Sequence, residues 1–391
     1  MAKVVLRRFG ERRVRAGHPW IYRSEIAGMA DDPEPGGVVD VVDERKRFLG
    51  RGTFHPTSQI AIRLLTTIDE PIDSNFFTGR LQAALAYRES LAIPSNASRL
   101  VFSEADGLPG LLVDRYGDLV ALQILTAGME RLRDLFLPVI QGLLQPSGVY
   151  LRNDAASRLL EGLPRSVGFF GAPRDPTVEI TEGGVHFRVN VASGQKTGFF
   201  LDQRDNRCTV QDLARGRTVL DAFCYTGGFA LHAARGGATL VEGIDISPEA
   251  VTAATENARL NGLGDQCQFR TANAFDELRA LERTSRRFDL VILDPPAFTK
   301  GKETVATALR GYKEINLRAL KLLRPGGTLV TSSCSYHVDE MTFLRMLQEA
   351  ATDARVRCRV RAVRTQAPDH PVLLGIKETK YLKCVVLERC G

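Results

Sequence analysis

Two motifs in the C-terminal half of the chain combine a reactive side chain with an apolar, strand-like run. In LDPPAF, residues 293–298, Asp294 precedes two prolines, which hold the backbone extended and donate no hydrogen bond. In TSSCSY, residues 331–336, the thiol of Cys334 lies among hydroxyl side chains. A thiolate in a partly exposed polar site is a nucleophile, so the two motifs predict covalent chemistry in which Asp294 positions the substrate.

Cys334 also has a simpler interpretation. An isolated cysteine is more often an inert core residue than a reactive one. We favour the nucleophile because Cys334 ends a predicted strand in a polar segment, one strand along from Asp294. Cys224 is the rival thiol because it lies in another loop that follows a strand, whereas Cys208 and Cys267 are predicted to be core residues.

Two further strand ends have the composition of a nucleoside site. In VLDAFCYTGGF, residues 219–229, Asp221 precedes paired glycines, which let a ligand approach the backbone. Asp245 ends the next predicted strand, where a carboxylate can hold the hydroxyls of a ribose. The GxGxxG string of dinucleotide sites is absent, and Asp221 suits an ammonium group better than a phosphate. The pattern favours S-adenosylmethionine over NAD, unless both carboxylates only cap loops.

A nucleophilic thiol beside an adenosyl cofactor suggests methylation of carbon-5 of a cytosine. That carbon does not take a methyl group directly, whereas addition of a thiolate to carbon-6 turns the ring into an enamine. Asp294 would hydrogen-bond the ring nitrogen and the exocyclic amine as charge develops, and Phe298 would stack on the base. The sequence does not identify the base that removes the proton from carbon-5.

The elements around these motifs predict three domains. Residues 1–72 contain short strands with close turn signals, which are typical of a small β-barrel. Residues 73–175 predict an α+β middle domain with a helix over 75–91. Residues 176–391 begin with a hairpin over 178–187 and continue as alternating strands and helices, which indicates a Rossmann-like α/β fold with a parallel sheet. The strands predicted in it cover 218–222, 240–245, 266–270, 288–293 and 328–332, and a run over 381–387 pairs antiparallel with the arginine-rich run 355–361.

The composition predicts a cytosolic protein without a membrane segment. Of 391 residues, 44% are hydrophobic and 25% are charged, and no run approaches the roughly 20 apolar residues that span a bilayer. The seven cysteines are scattered and never spaced as C-x-x-C, which argues against a disulfide framework and against a zinc site. A net charge of +6 permits a polyanionic partner without requiring one.

Taken together, the motifs resemble the ribosomal RNA large-subunit 5-methylcytosine methyltransferases of the RlmI/RlmO group over almost the whole chain. RVRAGHPWIYRSEI, residues 13–26, is similar to the start of that family's PUA domain, a small RNA-binding β-barrel. SEADGLPGLLVDRY, residues 103–116, resembles its middle domain, and GQKTGFFLDQRDNR, residues 194–207, resembles the segment before the cofactor fold. DAFCYTGGF, DPPAF and SCS are similar to its cofactor, substrate and cysteine motifs.

The resemblance implies a class I methyltransferase domain that methylates a cytosine of 23S ribosomal RNA, naked or partly assembled, with Cys334 as the nucleophile. A homodimer is a further expectation. The residues predicted to bind the cofactor are Asp221, Phe223, Tyr225, Thr226, Gly227, Asp245, Ile246, Asn273, Ala274, Asp294 and Pro295. The residues predicted to contact RNA are Trp20, Arg23, Lys196, Arg204, Pro296 and Phe298. The family usually has an acidic residue at position 273, and an amide oxygen can still bond the adenine amine.

Two other functions stay open. A methyltransferase acting on a guanine nitrogen would transfer the methyl group directly and would need no thiol. A non-catalytic RNA-binding assembly factor would retain only the cofactor pocket. The basic N-terminal segment, with Trp20 and Tyr22 among its arginines, either contacts RNA or forms a solvated basic face.

Overall fold

The computed structural model describes residues 1–299 and 301–390. The chain divides into two compact units. The first comprises Met1–Ile180, Val189–Leu201 and Pro368–Thr379, and the second comprises Thr181–Arg188, Asp202–Ala367 and the chain from Lys380 onward. None of the helices in the described ranges has both the length and the hydrophobicity of a membrane span.

A six-stranded sheet begins the first unit. Its elements are β1 (Ala2–Leu6), α1 (Arg8–Arg15), β2 (Trp20–Tyr22), β3 (Ile26–Met29), β4 (Val38–Val42), β5 (Phe48–Phe54) and β6 (Ile60–Thr66). The strand order is β2-β6-β5-β4-β1-β3. Gly52 is required where β5 meets β6, because a Cβ there would lie 2.3 Å from the carbonyl oxygen of Arg63. The short strands predicted for this region are confirmed.

A five-stranded sheet with two long helices completes most of the first unit. Its elements are α2 (Ser74–Ser90), β7 (Ala97–Phe102), β8 (Leu111–Tyr116), β9 (Leu119–Ile124), α3 (Ala127–Leu144), β10 (Gly148–Asn153), α4 (Ser157–Leu160) and β11 (Ser166–Phe170). The strand order is β11-β10-β9-β8-β7. Asp73 caps α2 by accepting from the N–H groups of Asn75 and Phe76. The predicted helix and the α+β character of this region are confirmed.

A hairpin and a seven-stranded sheet follow. The hairpin consists of β12 (Thr177–Glu182) and β13 (Val185–Asn190). The remaining elements are α5 (Arg204–Leu213), β14 (Thr218–Ala222), α6 (Gly228–Arg235), β15 (Leu240–Asp245), α7 (Pro248–Leu260), β16 (Cys267–Thr271), α8 (Ala274–Arg283), β17 (Phe288–Leu293), α9 (Val305–Leu322), β18 (Leu323–Ser333), α10 (Glu340–Ala354), β19 (Cys358–Arg364) and β20 (Lys383–Arg389).

The order of the seven-stranded sheet fixes where a ligand can bind. The order is β16-β15-β14-β17-β18-β20-β19, with β14 to β18 parallel and β20 antiparallel to both of its neighbours. The connections lead outward in opposite directions from β14 and β17, so a crevice opens at the carboxyl ends of these two strands. A core that includes Leu220, Leu293, Ile315 and Phe343 packs against the strands beneath that edge.

Two predictions about this part of the chain need correction. The last parallel strand begins at Leu323 rather than at residue 328, because Leu323 pairs with Phe288 and a bulge keeps the Pro-Gly-Gly segment within the sheet. Helices α5, α8 and α10 were not predicted, although buried Phe343, Met346, Leu347 and Ala350 recur in α10 at helical spacing. The closing antiparallel pair is confirmed, but its strands cover 358–364 and 383–389 rather than 355–361 and 381–387, and Arg355 is the C-terminal cap residue of α10 instead. The contacts divide the chain into two compact units, and the three domains with boundaries after residues 72 and 175 stay a prediction.

Candidate active site

Four polar strand ends meet at one edge of the seven-stranded sheet. The register aligns Ala222 of β14 with Ile244 of β15 and with Leu293 of β17, and Leu293 with Thr331 of β18. Asp245 is the last residue of β15, and the segments that follow β14, β17 and β18 carry Phe223, Asp294 and Cys334. The structure therefore brings the cofactor, substrate and cysteine motifs together.

The loop after β14 has an unusual backbone. Phe223 and Tyr225 have φ values of 71° and 48°, and Gly227 has a φ of 86°. The N–H groups of Phe223 and Cys224 both donate to the carbonyl oxygen of Ile244 at 2.9 Å, which ties the loop to β15. Left-handed backbone at residues other than glycine is strained and concentrates at functional sites, so this loop has the character of a ligand cradle.

Asp221 presents a buried oxygen that lacks a partner. Its Oδ2 accepts from the N–H of Ala230 at 2.9 Å, whereas Oδ1 has no hydrogen-bond partner among the residues the structure describes. Burial raises the pKa of this carboxyl well above its usual range, and the nearby carboxylates of Asp294 and Asp245 raise it further. A buried carboxylate oxygen that has no hydrogen-bond partner and lies near other carboxylates suits a ligand that brings an N–H donor or a positive charge.

The end of β15 offers both a carboxylate and an apolar surface. Asp245 accepts from the N–H groups of Tyr225 at 2.8 Å and Ser247 at 3.0 Å, so it does cap the adjoining loops. Each carboxylate oxygen can accept a second hydrogen bond, which leaves room for ligand hydroxyls. Ile246 is 69% exposed. An acid followed by an exposed apolar side chain suits a ribose and its attached base.

Asn273 and its neighbours lie at the start of α8. Asn273 is exposed, and its Oδ1 accepts from the N–H of Phe275 at 2.9 Å, so it caps the helix. Its oxygen retains one lone pair for a ligand. Ala274 is buried beside it, and Thr226 accepts from Asn257 Nδ2 at 3.1 Å through its carbonyl oxygen.

Asp294 is held by an amide relay that sequence reasoning did not predict. Gln203 Nε2 donates to Asp294 Oδ1 at 2.8 Å, and Asn206 Nδ2 donates to Gln203 Oε1 at 2.6 Å. Gln203 and Asn206 are buried, whereas Asp294 is half-buried. Both amides belong to the segment GQKTGFFLDQRDNR, residues 194–207. This segment carries part of the resemblance to the family, but the sequence did not indicate its role.

The residues after Asp294 continue the site as a partly stacked aromatic series. Pro295 is buried and Pro296 is exposed. The half-buried ring of Phe298 lies 4.5 Å from that of Tyr312 and 5.8 Å from that of Phe275, measured between centroids. These ring contacts fix the orientation of Phe298, which lies on the side of the crevice where the substrate is predicted to bind.

Cys334 is half-buried just beyond the end of β18. Ser333 and Ser335 on either side are buried, and Ser335 Oγ lies 2.9 Å from the hydroxyl oxygen of Tyr312. The thiol therefore lies in polar surroundings. By contrast, burial raises the pKa of Cys384 to about 12, and burial raises the pKa of Cys267 to about 12 with a contribution from Asp221.

The predicted RNA contacts are placed less favourably. In the first unit, Trp20 Nε1 donates to Glu104 Oε1 at 2.8 Å, and the guanidinium of Arg23 donates to the carbonyl oxygens of His55 at 2.9 Å and Ser58 at 3.3 Å. Lys196 is exposed, with Nζ 4.5 Å from the centre of its neighbour Phe200. Arg204, in the second unit, is 2% exposed and lies against Asp205, which does not favour direct contact with RNA.

A Rossmann-like sheet with carboxylates at its switch point is the arrangement expected of an S-adenosylmethionine-dependent methyltransferase. A family model described as S-adenosylmethionine-dependent methyltransferase matches residues 163–377, and a model of a PUA-like domain matches residues 4–67. The chain is 40% identical over 390 residues to the ribosomal RNA large subunit methyltransferase I of Tolumonas auensis, covering 98% of each protein. It is 39% identical over 383 residues to the protein of that name from Shewanella denitrificans, covering 96% of each.

The chain therefore belongs to the ribosomal RNA large subunit methyltransferase I family, and its cofactor is S-adenosylmethionine. Solved structures show the same fold. A SAM-dependent methyltransferase from Streptococcus mutans matches with a TM-score of 0.84 at 21% identity, covering 99% of this chain and all of that one. The methyltransferase SMU.776, solved with SAH, matches with a TM-score of 0.86 at 22% identity over the same shares. The predicted fold class, family and cofactor are confirmed.

Proposed function

We propose that this protein methylates carbon-5 of a cytosine in 23S ribosomal RNA through a covalent bond to Cys334. The curated relatives are named for the large-subunit ribosomal RNA, and they match this chain over nearly its whole length. The observation that carries the proposal is the position of Cys334, half-buried at a polar strand end and one strand from Asp294.

The side chains of the crevice fit S-adenosylmethionine. The unpartnered Oδ1 of Asp221 would accept from the ammonium group of its methionine end, and Asp245 would accept from the ribose hydroxyls. Ile246 and Asn273 would contact the adenine, with Phe223, Tyr225, Thr226, Gly227, Ala274 and Pro295 around them. The bound cofactor supplies the methyl group that carbon-5 receives.

Cys334 carries the covalent step. The thiolate adds to carbon-6 of the cytosine, and the electron pair of the carbon-5–carbon-6 double bond becomes available at carbon-5 to take up the methyl group. A base then removes the proton from carbon-5. The double bond forms again as the bond between carbon-6 and Sγ breaks, which returns the thiolate.

Asp294 orients the base during this sequence. Gln203 fixes one carboxylate oxygen of Asp294, so that the group points in one direction without rearrangement. The other oxygen would accept from the exocyclic amine of cytosine, while Phe298 and Pro296 would hold the ring by stacking. A base buried in folded RNA would first have to be swung out, at a cost of a few kcal/mol.

The remaining contacts concern the RNA and the assembly state. Trp20, Arg23 and Lys196 stay predicted RNA contacts, whereas the burial of Arg204 argues against the contact predicted for it. The substrate would be naked or partly assembled 23S RNA, and a homodimer stays a prediction.

Product mapping with a cysteine variant tests the proposal. Ribosomal RNA from a strain without the gene is incubated with S-adenosylmethionine and with wild-type, Cys334→Ala or Cys358→Ala protein, and the product is mapped by mass spectrometry. Cys358 is a matched control because it is also half-buried, on β19. We expect 5-methylcytosine with the wild type and with C358A and none with C334A.

Two outcomes would contradict the proposal. Full transfer by C334A, or a product methylated on a guanine nitrogen, would support direct transfer without a thiol. Binding of S-adenosylmethionine without transfer to any RNA would support an assembly factor.

A further inference from the structure

A buried lysine lies against the turn that carries Cys334. Lys383 begins β20 and is paired with Ser333, the residue before Cys334. It is only 4% exposed. Its Nζ donates to the carbonyl oxygens of Ser335 at 2.7 Å and Tyr381 at 2.9 Å. Because Ser335 directly follows Cys334, this amino group is fixed beside the backbone that holds the thiol.

The charge around Lys383 comes from few groups. The titratable and charged side chains that act on Lys383 are Cys334 after β18, Asp339 at the start of α10 and Lys380 before β20. Tyr312 on α9 lies near Cys334, and Glu340 pairs with Lys380. Glu340 lies 2.8 Å from Lys380, and Asp339 caps α10 by accepting from the N–H of Thr342. The carboxylates of Asp339 and Glu340 therefore each have a hydrogen-bond partner other than Lys383.

The amine of Lys383 stays a cation at neutral pH. Burial lowers its pKa to about 8, while the thiol of Cys334 and the carboxylate of Asp339 act to raise it. A group with this pKa is mostly protonated at pH 7. Buried lysines are uncommon unless they are paired or serve a function, so the retained charge calls for a physical explanation.

We propose that Lys383 is a positioning residue for methyl transfer whose ammonium group stabilises the thiolate form of Cys334. This inference rests on the proposed function, in which Cys334 is the nucleophile. A cation beside a thiol favours ionisation of the thiol. The S–H bond breaks, its electron pair stays on sulfur, the proton passes to solvent, and the lysine keeps its own protons.

The same charge assists the last step of the reaction. A sulfur that is stabilised as an anion leaves carbon more readily, so the bond between carbon-6 and Sγ breaks faster once carbon-5 has lost its proton. A neutral N–H donor at position 383 keeps the capacity to donate to a carbonyl oxygen but would give neither effect. This difference separates the proposed role from a purely structural one.

Alkylation of Cys334 by iodoacetamide, followed by peptide mass spectrometry between pH 5.5 and 9.5, tests the inference without RNA or cofactor. We compare the wild type with Lys383→Gln, which keeps an N–H donor but loses the charge, and with Lys383→Arg, which keeps the charge. Lys380→Gln removes a nearby exposed lysine as a control. The thermal midpoint of each variant shows that it folds.

We expect the wild-type profile to have its midpoint below the ordinary value of about 8.5 for a thiol. In K383Q the midpoint rises by about one pH unit, so that alkylation at pH 7 slows roughly five- to tenfold. The profiles of K383R and K380Q stay close to that of the wild type. The pH dependence of methyl transfer by K383Q shifts in the same direction.

The inference is overturned if K383Q folds and its alkylation profile matches that of the wild type. If K383Q does not fold, the wild-type profile decides, because a midpoint at or above about 8.5 excludes stabilisation of the thiolate. These results are distinguishable from failure of the proposed function. That failure would appear as transfer by C334A, whatever the effect of Lys383 on the thiol.

Discussion

The loops after β14 and β18 each place a cysteine at the same edge of one sheet, yet their surroundings differ. Cys224 is 4% exposed, and burial raises its pKa well above the usual range, with the carboxylates of Asp221 and Asp245 raising it further. Cys334 is half-buried among hydroxyl groups, with the cation of Lys383 nearby. The loop rich in carboxylates suits a cationic ligand, whereas the loop with a cation suits a thiolate. Local charge, rather than sequence motif alone, separates the two thiols.

The largest expected effect is the difference in reactivity between the two cysteines. In the wild-type protein at pH 7.5, we expect iodoacetamide to modify Cys334 at least about a hundredfold faster than Cys224, because only the thiolate reacts and Cys224 is buried and held neutral. Peptide mass spectrometry over a time course measures both rates. Similar alkylation rates for Cys334 and Cys224 would contradict the proposed difference between the two loops.

Loss of the buried carboxylate should weaken cofactor binding. Asp221→Asn removes the charge that we assign to the ammonium group of the cofactor, and we expect the Kd for S-adenosylmethionine to rise about ten- to thirtyfold. Titration calorimetry measures it, with Asp265→Asn, an exposed acid before β16, as the control. An unchanged Kd would show that Asp221 only caps α6.

Removal of the amide relay should affect the chemical step more than binding. Gln203→Leu leaves Asp294 without the donor that fixes one of its oxygens, and we expect kcat for methyl transfer to fall about tenfold with little change in cofactor Kd. Gln268→Leu, at an exposed position on β16, is the control. If the Kd for S-adenosylmethionine changes by as large a factor as kcat, Gln203 supports the loop after β14 rather than the substrate side of the crevice.

The smallest expected effect on methyl transfer comes from a buried cluster formed by Glu182, Arg207 and His232. The guanidinium of Arg207 donates to Glu182 at 2.6 and 2.8 Å, and His232 of α6 lies 3.2 Å from the same carboxylate. Burial alone would raise the pKa of Glu182, but Arg207 and His232 lower it to about 2. Glu182→Gln should leave transfer at pH 7.5 within about twofold, while the free energy of unfolding falls by about 3 kcal/mol.

This cluster also gives the stability a pH dependence. Because the folded pKa of Glu182 lies below its ordinary value of 4.5, its contribution is present above pH 4.5 and is lost as the pH falls toward 2. Urea unfolding of the wild type and of E182Q at pH 7.5, 5 and 3.5 should therefore give curves that converge in acid. A constant difference between the two proteins would contradict this account.

Much of the site could be predicted because its chemistry is local in sequence. Asp294 and Cys334 directly follow buried strands, and Asp221 and Asp245 lie within the last two residues of theirs. Parallel strands bring their carboxyl ends to one edge. The bounds of β14 and β17 are predicted to the residue, since β-branched residues and leucines mark these strands clearly.

The site residues that the sequence did not predict depend on contacts between distant parts of the chain. Gln203 reaches Asp294 across 91 positions, and no local pattern encodes that contact. Lys383 was assigned only to a terminal strand, and the register of β18 with β20 is what sets it beside Cys334. A signal was present all the same, because a single lysine interrupts the otherwise apolar run 382–387. Such a charge in a buried strand needs a partner.

Trapping of the covalent intermediate tests the central claim most directly. The protein is incubated with S-adenosylmethionine and 23S RNA that carries 5-fluorocytosine, in which carbon-5 has no proton to lose, so the bond between carbon-6 and sulfur persists. We predict a complex that survives denaturation and whose linked peptide contains Cys334. A complex linked through Cys224, or none at all while unmodified RNA is still methylated, would contradict the account.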